Sequence, residues 1–218
     1  MSNRRHLDTP SPERLSLSLH FPQKHPYDML IAEKLRRTNR AEYLLYLWQL
    51  EDLLRAYDCN PERLDEAYLS HFQVSPEERA KMRQWYADLC QMMLSEGVRE
   101  KGHLRMSLNV MQTLAELHDK LLASGKFPYY REMYYKVLPL IVELRSKEAH
   151  QPQPDEQRPG SLAELTTCFN ALYGVMLLRL QHKPLSQGTA EAVKTISTWL
   201  GQLSDYYLQG VEQQLDND

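Results

Sequence analysis

Residues 39–56 read NRAEYLLYLWQLEDLLRA, and this stretch decides the fold class. At about 100° per residue, its leucines, tyrosines and tryptophan cover the whole circumference of a helix. A helix that is apolar all round is normally buried at the centre of a protein. We therefore predict a central helix that has Asp28 as its N-cap, runs to about Tyr57 and has other helices packed around it.

Start and stop signals divide the rest of the chain into further helices. The clearest start is at Ser75, which can form a reciprocal capping box with Glu78, and Gly97 is suited to end that helix. A second capping box is predicted at Ser161 and Glu164. The other helices are predicted to start at Pro61 and to cover 76–96, 103–125, 128–147, 161–182 and 189–211.

These signals predict an all-α fold, a single-domain antiparallel bundle of about seven helices with an irregular N-terminal arm. Five helices over 29–147 are followed by a polar, proline-rich connection at 148–160, interpreted as flexible, and by a helical hairpin at 161–213. A hairpin of this length cannot bury both of its apolar faces alone. We therefore expect it to dock on the core of the first five helices.

The two ends of the chain are predicted to lie outside this bundle. Residues 1–28 contain four prolines and no signal-peptide pattern, so they are expected to form a flexible arm. Residues 214–218 are expected to form a disordered tail. No run of about 18 apolar residues occurs, which argues against a membrane span.

Composition excludes several classes of function. The 26 basic and 29 acidic residues give a formal charge of −3, which argues against a global grip on nucleic acid or on an anionic membrane. The 8 glycines form neither a P-loop nor a dinucleotide-binding fingerprint. The 3 cysteines lie far apart, so we expect no disulfide framework and no structural zinc, as is typical of a cytoplasmic protein.

The central helix carries charged side chains on an otherwise apolar surface. Glu51 and Arg55 fall near Trp48 on the helical wheel, and Asp52 lies beside them. Charges in such positions must be paired or must line a cavity. The simpler interpretation is an i,i+4 ion pair between Glu51 and Arg55, with contacts to neighbouring helices. The alternative is a binding site whose floor is Trp48.

Histidines and metal-binding spacings give no evidence for catalysis. His118 lies within the apolar arc of its helix, and we interpret it as a core histidine with one hydrogen bond rather than a catalytic group. His103 lies about four turns away, so the two cannot share a metal ion. No metalloprotease, di-iron or nucleophile motif is present. We predict neither a metal site nor a cofactor, and enzymatic activity has no support.

Two clusters allow a nucleic-acid interpretation. Tyr129, Tyr130, Tyr134 and Tyr135 lie beside basic residues and could stack on bases or on a ring-shaped ligand. Their spacing equally fits a core stripe, which is the interpretation we prefer. The segment Lys34–Arg40 is basic, but such runs are usually solvated faces. Nucleic-acid binding through it is the weaker alternative.

Gly174 lies in the middle of a predicted helix, where glycine costs about 1 kcal/mol relative to alanine. A stripe of mostly small residues beside it predicts the close approach of another helix. Gly201 in the last helix is its expected partner in that contact.

Four stretches, 39–56, 96–104, 138–147 and 168–180, resemble the family known as domain of unknown function 4924, found mainly in Bacteroides and relatives. The resemblance spans about residue 29 to 208. It implies a bacterial, cytoplasmic, helical protein, and it supplies no activity or cofactor. Similar proteins begin near Met29, so we expect the first 28 residues to be a lineage-specific arm or an upstream misassigned start.

The sequence therefore predicts a non-enzymatic interaction or scaffold module that acts by protein–protein contact, with itself as a homodimer or with another protein. The alternative is a small-molecule-binding bundle or an enzyme with a polar pocket. The candidate ligand-binding residues are Trp48, Glu51, Asp52, Arg55, His103 and Glu143.

Overall fold

A computed structural model describes residues 28–148 and 160–216 of the chain. All regular structure within these two ranges is helical, which confirms the all-α class. The predictions for the arm before Asp28, for the connection between 149 and 159 and for the last two residues fall outside the described ranges. The helices are α1 (Asp28–Thr38), α2 (Arg40–Ala56), α3 (Pro61–Ala67), α4 (Pro76–Ser95), α5 (Arg105–Ser124), α6 (Pro128–Glu148), α7 (Ser161–Leu180), α8 (Gln187–Leu208) and α9 (Val211–Asp216), with a 3-10 turn at Leu69–His71.

The predicted central helix is two helices, because the chain breaks at Asn39. This residue has an extended backbone, with φ −158° and ψ 103°, and its side chain accepts a hydrogen bond from the amide of Glu42 at 3.1 Å. Asparagine is among the strongest N-cap residues, so it restarts the helix as α2. The α2 helix is buried on most sides, as predicted, and it packs against α1, α5 and α8.

The predicted capping box at the start of α4 is confirmed. The hydroxyl of Ser75 accepts from the amide of Glu78 at 3.2 Å, and the Glu78 carboxylate accepts from the amide of Ser75 at 2.9 Å. Two otherwise unpaired amides at the helix start are thereby satisfied.

The second predicted capping box is wrong. Gly160 is the N-cap of α7 and has no side chain to offer. The Ser161 hydroxyl instead donates to Asp119, and the Glu164 carboxylate accepts from the Tyr134 hydroxyl at 2.8 Å. Ser161 and Glu164 therefore form hydrogen bonds to α5 and α6 instead of capping their own helix.

The C-terminal part is helical further than predicted. Ser186 caps α8 by accepting from the amide of Thr189 at 3.1 Å, so this helix starts earlier than residue 189. Gly210 has a φ of +66°, a left-handed conformation that separates α8 from α9. Because α9 extends to Asp216, part of the predicted tail is helical.

The α6 and α7 helices run parallel, which differs from the expectation for successive helices. Tyr134 and Glu164, near the starts of the two helices, are hydrogen-bonded. Leu144 and Leu178, near their ends, line one groove. The α7–α8 pair packs on the α2 and α5 core, with Phe169 against Trp48. The α6 helix packs against α7 and α8 and leaves its opposite face exposed.

The predicted close contact at Gly174 is wrong. Gly174 is exposed, and a methyl group added to it would meet nothing within 4 Å. It lines an open groove of about 530 Å³ between α6, α7 and α8, whereas Gly201 is buried. The reason is that Gly174 lies outside the buried face of α7, which includes Leu165, Cys168 and Phe169.

Among the described helices, α7 has the length and apolar composition of a membrane-spanning segment. This is weak evidence, because core helices of soluble proteins share these properties. In the fold α7 packs against α5, α6 and α8.

Candidate functional site

The structure brings five of the six predicted site residues together where α2 meets the segment joining α4 to α5. We call this segment, residues 96–104, the α4–α5 connection. The group also includes Ser107 from α5 and Tyr173 from α7. We call it the Glu51 cluster, and its members are Trp48, Glu51, Asp52, Arg55, His103, Ser107 and Tyr173.

Glu51 is the buried centre of the cluster, with an exposed fraction of only 1%. One carboxylate oxygen lies 2.6 Å from Nδ1 of His103. The other oxygen accepts from the amide of Leu104 at 3.1 Å and from the hydroxyl of Ser107 at 2.7 Å. A buried carboxylate is stable only when it is well hydrogen-bonded, and here three groups surround it.

Glu51 also accepts a hydrogen bond at the start of α5. Leu104 occupies the N-cap position of this helix and has no side chain that can accept a hydrogen bond. The Glu51 carboxylate accepts from the amide of Leu104, and the Glu96 carboxylate accepts from the amide of Arg105 at 2.7 Å. Two carboxylates thus lie at the positive end of the helix dipole. No polar N-cap residue precedes α5 in the sequence, because an acceptor for its first amides comes from Glu51 of α2.

His103 lies on the face of Trp48. The two rings are stacked, with centroids 4.3 Å apart and planes inclined by 17°. Trp48 also meets the edges of Phe169 and Tyr173 of α7, at 6.2 and 5.6 Å. The indole therefore connects the α4–α5 connection to the C-terminal helices, and it is itself buried.

Arg55 fixes the α4–α5 connection from the other side. Its guanidinium donates to the carbonyl oxygens of Val98, at 3.2 Å, and Gly102. It also pairs with Asp52 at 2.9 Å. The predicted ion pair between Glu51 and Arg55 is therefore wrong, because Glu51 faces the start of α5 whereas Arg55 faces the loop.

Tyr173 completes the cluster from α7. Its hydroxyl donates to the Asp52 carboxylate at 2.5 Å and contacts the carbonyl oxygen of Trp48 at 3.3 Å. Burial, together with the hydrogen bond to Asp52, holds the pKa of Tyr173 well above its ordinary value. The phenol is therefore protonated at neutral pH and donates its hydrogen bond to Asp52.

The sixth predicted residue, Glu143, does not join the cluster. It lies on the exposed side of α6, where it pairs with Lys147 at 2.6 Å and lines the groove beside Gly174. Periodicity placed it on a helix correctly, but the sequence could not tell which helix that surface would face.

The comparisons with known proteins identify the family. The sequence profile described as a domain of unknown function (DUF4924) matches residues 29–214, most of the chain. The chain belongs to the DUF4924 family. No curated protein and no solved structure matches it. Membership in DUF4924 thus confirms the resemblance seen in the sequence and carries no activity, ligand or partner with it.

In this DUF4924 chain, sequence reasoning missed Ser107 and Tyr173. Ser107 lies three residues after Leu104, the N3 position of α5, but with no polar N-cap before it the pattern gave no signal. Tyr173 is one of 13 tyrosines, and nothing in the local sequence indicates that it reaches Asp52.

His118 is a core histidine, as predicted. It is completely buried, its Nδ1 lies 2.7 Å from the Tyr130 hydroxyl, and the ring edges of Tyr134 and Trp199 surround it. Burial lowers the pKa of His118 to about 4, so the ring is neutral at physiological pH. Within residues 28–148 and 160–216, no group of three or more histidine, cysteine or acidic residues is arranged to hold a metal ion.

The Glu51 cluster has one group with chemical potential. Because Glu51 occupies Nδ1 of His103, the Nε2 edge of this ring is the part that can meet a solute, and the side chain is 32% exposed. A carboxylate that orients a histidine is a common arrangement for proton transfer. All other polar members of the cluster have partners within the fold, which is the pattern of a structural network.

Proposed function

We propose that this DUF4924 chain is a non-enzymatic module of the bacterial cytoplasm that works by contact with other protein chains. The observation that carries the proposal is the outer face of α6. Tyr135 and Val142 are 61% and 62% exposed, and exposed Pro139 lies between them. Large apolar side chains that are exposed together on one face mark interaction surfaces in proteins.

The polar residues of α2 support this proposal indirectly. A ligand or catalytic site needs polar groups that are free to meet a substrate. In the Glu51 cluster, Glu51 and Arg55 hold the α4–α5 connection against α2, and Asp52 accepts from Tyr173 of α7. Interaction through an exposed apolar face requires no free polar groups. The Glu51 cluster and the outer face of α6 are therefore both consistent with a function in protein contact.

The proposal is tested by site-specific photo-cross-linking in bacterial cells that produce the full chain. A photoreactive amino acid replaces Val142, and a matched control carries it at Leu94 of α4, which is also exposed. We expect a discrete adduct heavier than the chain mass of 25.6 kDa from position 142 and none from position 94. No adduct at 142, or equal labelling at both positions, would contradict the proposal. A cross-link within one chain, which leaves the mass unchanged, would also contradict it, because the chain's own segment then covers the face.

A second candidate function is small-molecule binding at His103, favoured by the partial exposure of its side chain, 32%. A thermal-shift screen against a metabolite library tests it, because a ligand at 100 times its dissociation constant adds about 2.7 kcal/mol of stability. This candidate predicts a ligand whose stabilising effect disappears in the variant His103→Gln. The interaction proposal predicts no ligand that depends on His103.

The nucleic-acid alternative has less support. Arg36 and Arg37 both pair with Glu33 on α1. The guanidinium of Arg40 lies 5.1 Å from the ring centre of Tyr207, and its backbone amide donates to Ser204. Most of the predicted basic segment is therefore engaged in contacts that would have to change before it could bind phosphates.

A further inference from the structure

The exposed apolar residues Tyr135, Pro139 and Val142 form a stripe on the outer side of α6, which we call the α6 stripe. A row of four alternating charges borders this stripe. The row consists of Glu132, Lys136, Glu143 and Lys147, and we call it the α6 charge row. At 100° per residue the four side chains fall within about 60° of one another on the helix. Each one is at least 60% exposed, and the two i,i+4 pairs within the row each have an N–O distance of 2.6 Å.

The order of charges in this row is self-complementary when it is reversed. The point between Pro139 and Leu140 is equally far in sequence from Glu132 and Lys147, and equally far from Lys136 and Glu143. If a second copy of α6 lies antiparallel on the first with the two-fold axis at this point, each glutamate meets a lysine of the partner. In antiparallel helix pairs, the same flank of each helix faces its copy.

The apolar stripe has its centre one residue earlier, between Leu138 and Pro139. Pro139 lies next to the axis, with Tyr135 and Val142 on either side of it. In the antiparallel pair Tyr135 of one copy comes opposite residue 144 of the other, two residues or about 3 Å along the helix from Val142. The contact then has an apolar middle and a charged rim, which is the usual anatomy of an interface. Burial of the apolar groups provides the affinity, and the charge row sets orientation and partner choice.

We propose that the partner of the α6 face is a second copy of this chain, bound antiparallel through the α6 stripe and the α6 charge row. This inference rests on the proposed function, since it names the partner of that same surface. It uses a charge order that is complementary to its own reverse, which a heterologous partner would not require. It also explains why a helix with buried contacts to α7 and α8 keeps large apolar groups on its outer side.

The size of the surface sets the expected affinity. A helix of 21 residues is about 31 Å long, so a contact one helix wide buries less than the roughly 800 Å² per partner of a standard interface. Grooves of about 380 and 530 Å³ between α6 and its neighbours adjoin the charge row and leave room for side chains of the partner. We therefore expect a reversible dimer in the micromolar range, weakened by salt.

Sedimentation velocity of the full chain, with charge-reversal variants, tests the proposal. The variant Glu132→Lys/Glu143→Lys makes the row wholly positive, and Lys136→Glu/Lys147→Glu makes it wholly negative. We expect the wild-type protein to reach dimer mass with increasing concentration. Each variant alone should remain a monomer at least tenfold beyond that concentration, because like charges face each other across the axis. An equimolar mixture of the two variants should dimerise again.

The matched control is the variant Glu66→Lys/Glu116→Lys, which changes the net charge by the same amount on exposed positions of α3 and α5. It should dimerise like the wild-type protein. Circular dichroism checks that all variants remain helical, and recovery in the mixture excludes misfolding as the cause of the loss.

Three outcomes would overturn the second copy as partner: a wild-type chain that stays monomeric at high micromolar concentration, charge-reversal variants that dimerise normally, or a mixture that does not recover. The photo-cross-linking experiment separates this failure from failure of the proposed function. An adduct at position 142 with a mass other than twice the chain would keep the interaction function and refute self-association.

Discussion

Replacing Glu51 by leucine should destabilise the protein by about 4 kcal/mol. The substitution removes the acceptor of three groups, the His103 ring, the Leu104 amide and the Ser107 hydroxyl. Leu104 and Ser107 are almost completely buried, so water cannot replace the lost carboxylate. Each buried polar group left unpaired costs about 1–3 kcal/mol, so the Leu104 amide and the Ser107 hydroxyl together account for about 4 kcal/mol.

The assay is urea unfolding followed by circular dichroism, with the slope of the transition checked for constancy. In a chain of this size, a loss of 4 kcal/mol corresponds to a decrease in Tm of about 8–16 °C. The variant Glu51→Gln should lose about half as much, because the amide keeps one acceptor oxygen for the start of α5. The control Glu66→Leu, on the exposed face of α3, should change the free energy of unfolding by less than about 0.5 kcal/mol. A Glu51→Leu protein within 1 kcal/mol of wild type would refute the role given to this carboxylate.

Three further predictions concern the rest of the bundle. The variant Gly174→Ala should raise the free energy of unfolding by up to about 1 kcal/mol in urea titrations. The added methyl group has no atom within 4 Å, and alanine favours the helix more than glycine does. Destabilisation would mean that the groove is closed in solution. Between pH 6.5 and about 4 only the unfolded chain protonates His118, so stability should decrease by up to about 3 kcal/mol as the pH falls through this range. The variant His118→Leu should have a shallower pH dependence there, and an unchanged slope would assign the effect to other groups. A thiol reagent should modify all three cysteines only after denaturation, since each is buried and burial raises the pKa of Cys90 to about 11; rapid labelling of the native chain would contradict their burial.

Much of the fold follows from local sequence signals. The all-α class, the buried α2 helix and the capping box at Ser75 depend on periodicity and on residues within one turn of each other, and the structure has them as predicted. The break at Asn39 was also encoded locally, since a strong N-cap residue stands there. The apolar pattern on both sides of it masked the signal.

The partners of the charged residues in the Glu51 cluster could not be predicted from the sequence. The wheel identified Glu51, Asp52 and Arg55 as charges that need partners, but it paired the wrong two. Arg55 and Asp52 do pair with each other, three residues apart, but the other partners of these charges lie 43 to 121 positions away along the chain, such as His103 and Tyr173. Which side chain a buried charge meets depends on how helices are arranged in space, and local spacing does not contain that information.

The parallel arrangement of α6 and α7 is a second example. Short loops make successive helices antiparallel, whereas the connection at 148–160 is long enough to allow either direction, and its sequence does not say which. The consequence for function is large, because this arrangement leaves the outer face of α6 exposed, with its apolar stripe and its charge row. The sequence therefore predicted the α6 helix correctly but did not indicate that its outer face would be exposed.

The most direct test of the α6 interface is the concentration dependence of backbone amide chemical shifts in the isotope-labelled full chain, from low micromolar to near-millimolar protein. We expect shift changes that grow with concentration along α6, centred on Pro139, and extend to the adjoining edge of α8. The α4–α5 connection and the Glu51 cluster should stay unchanged. Changes centred on His103 and Tyr173, or no change anywhere along α6, would contradict the claim that this protein acts through the α6 face.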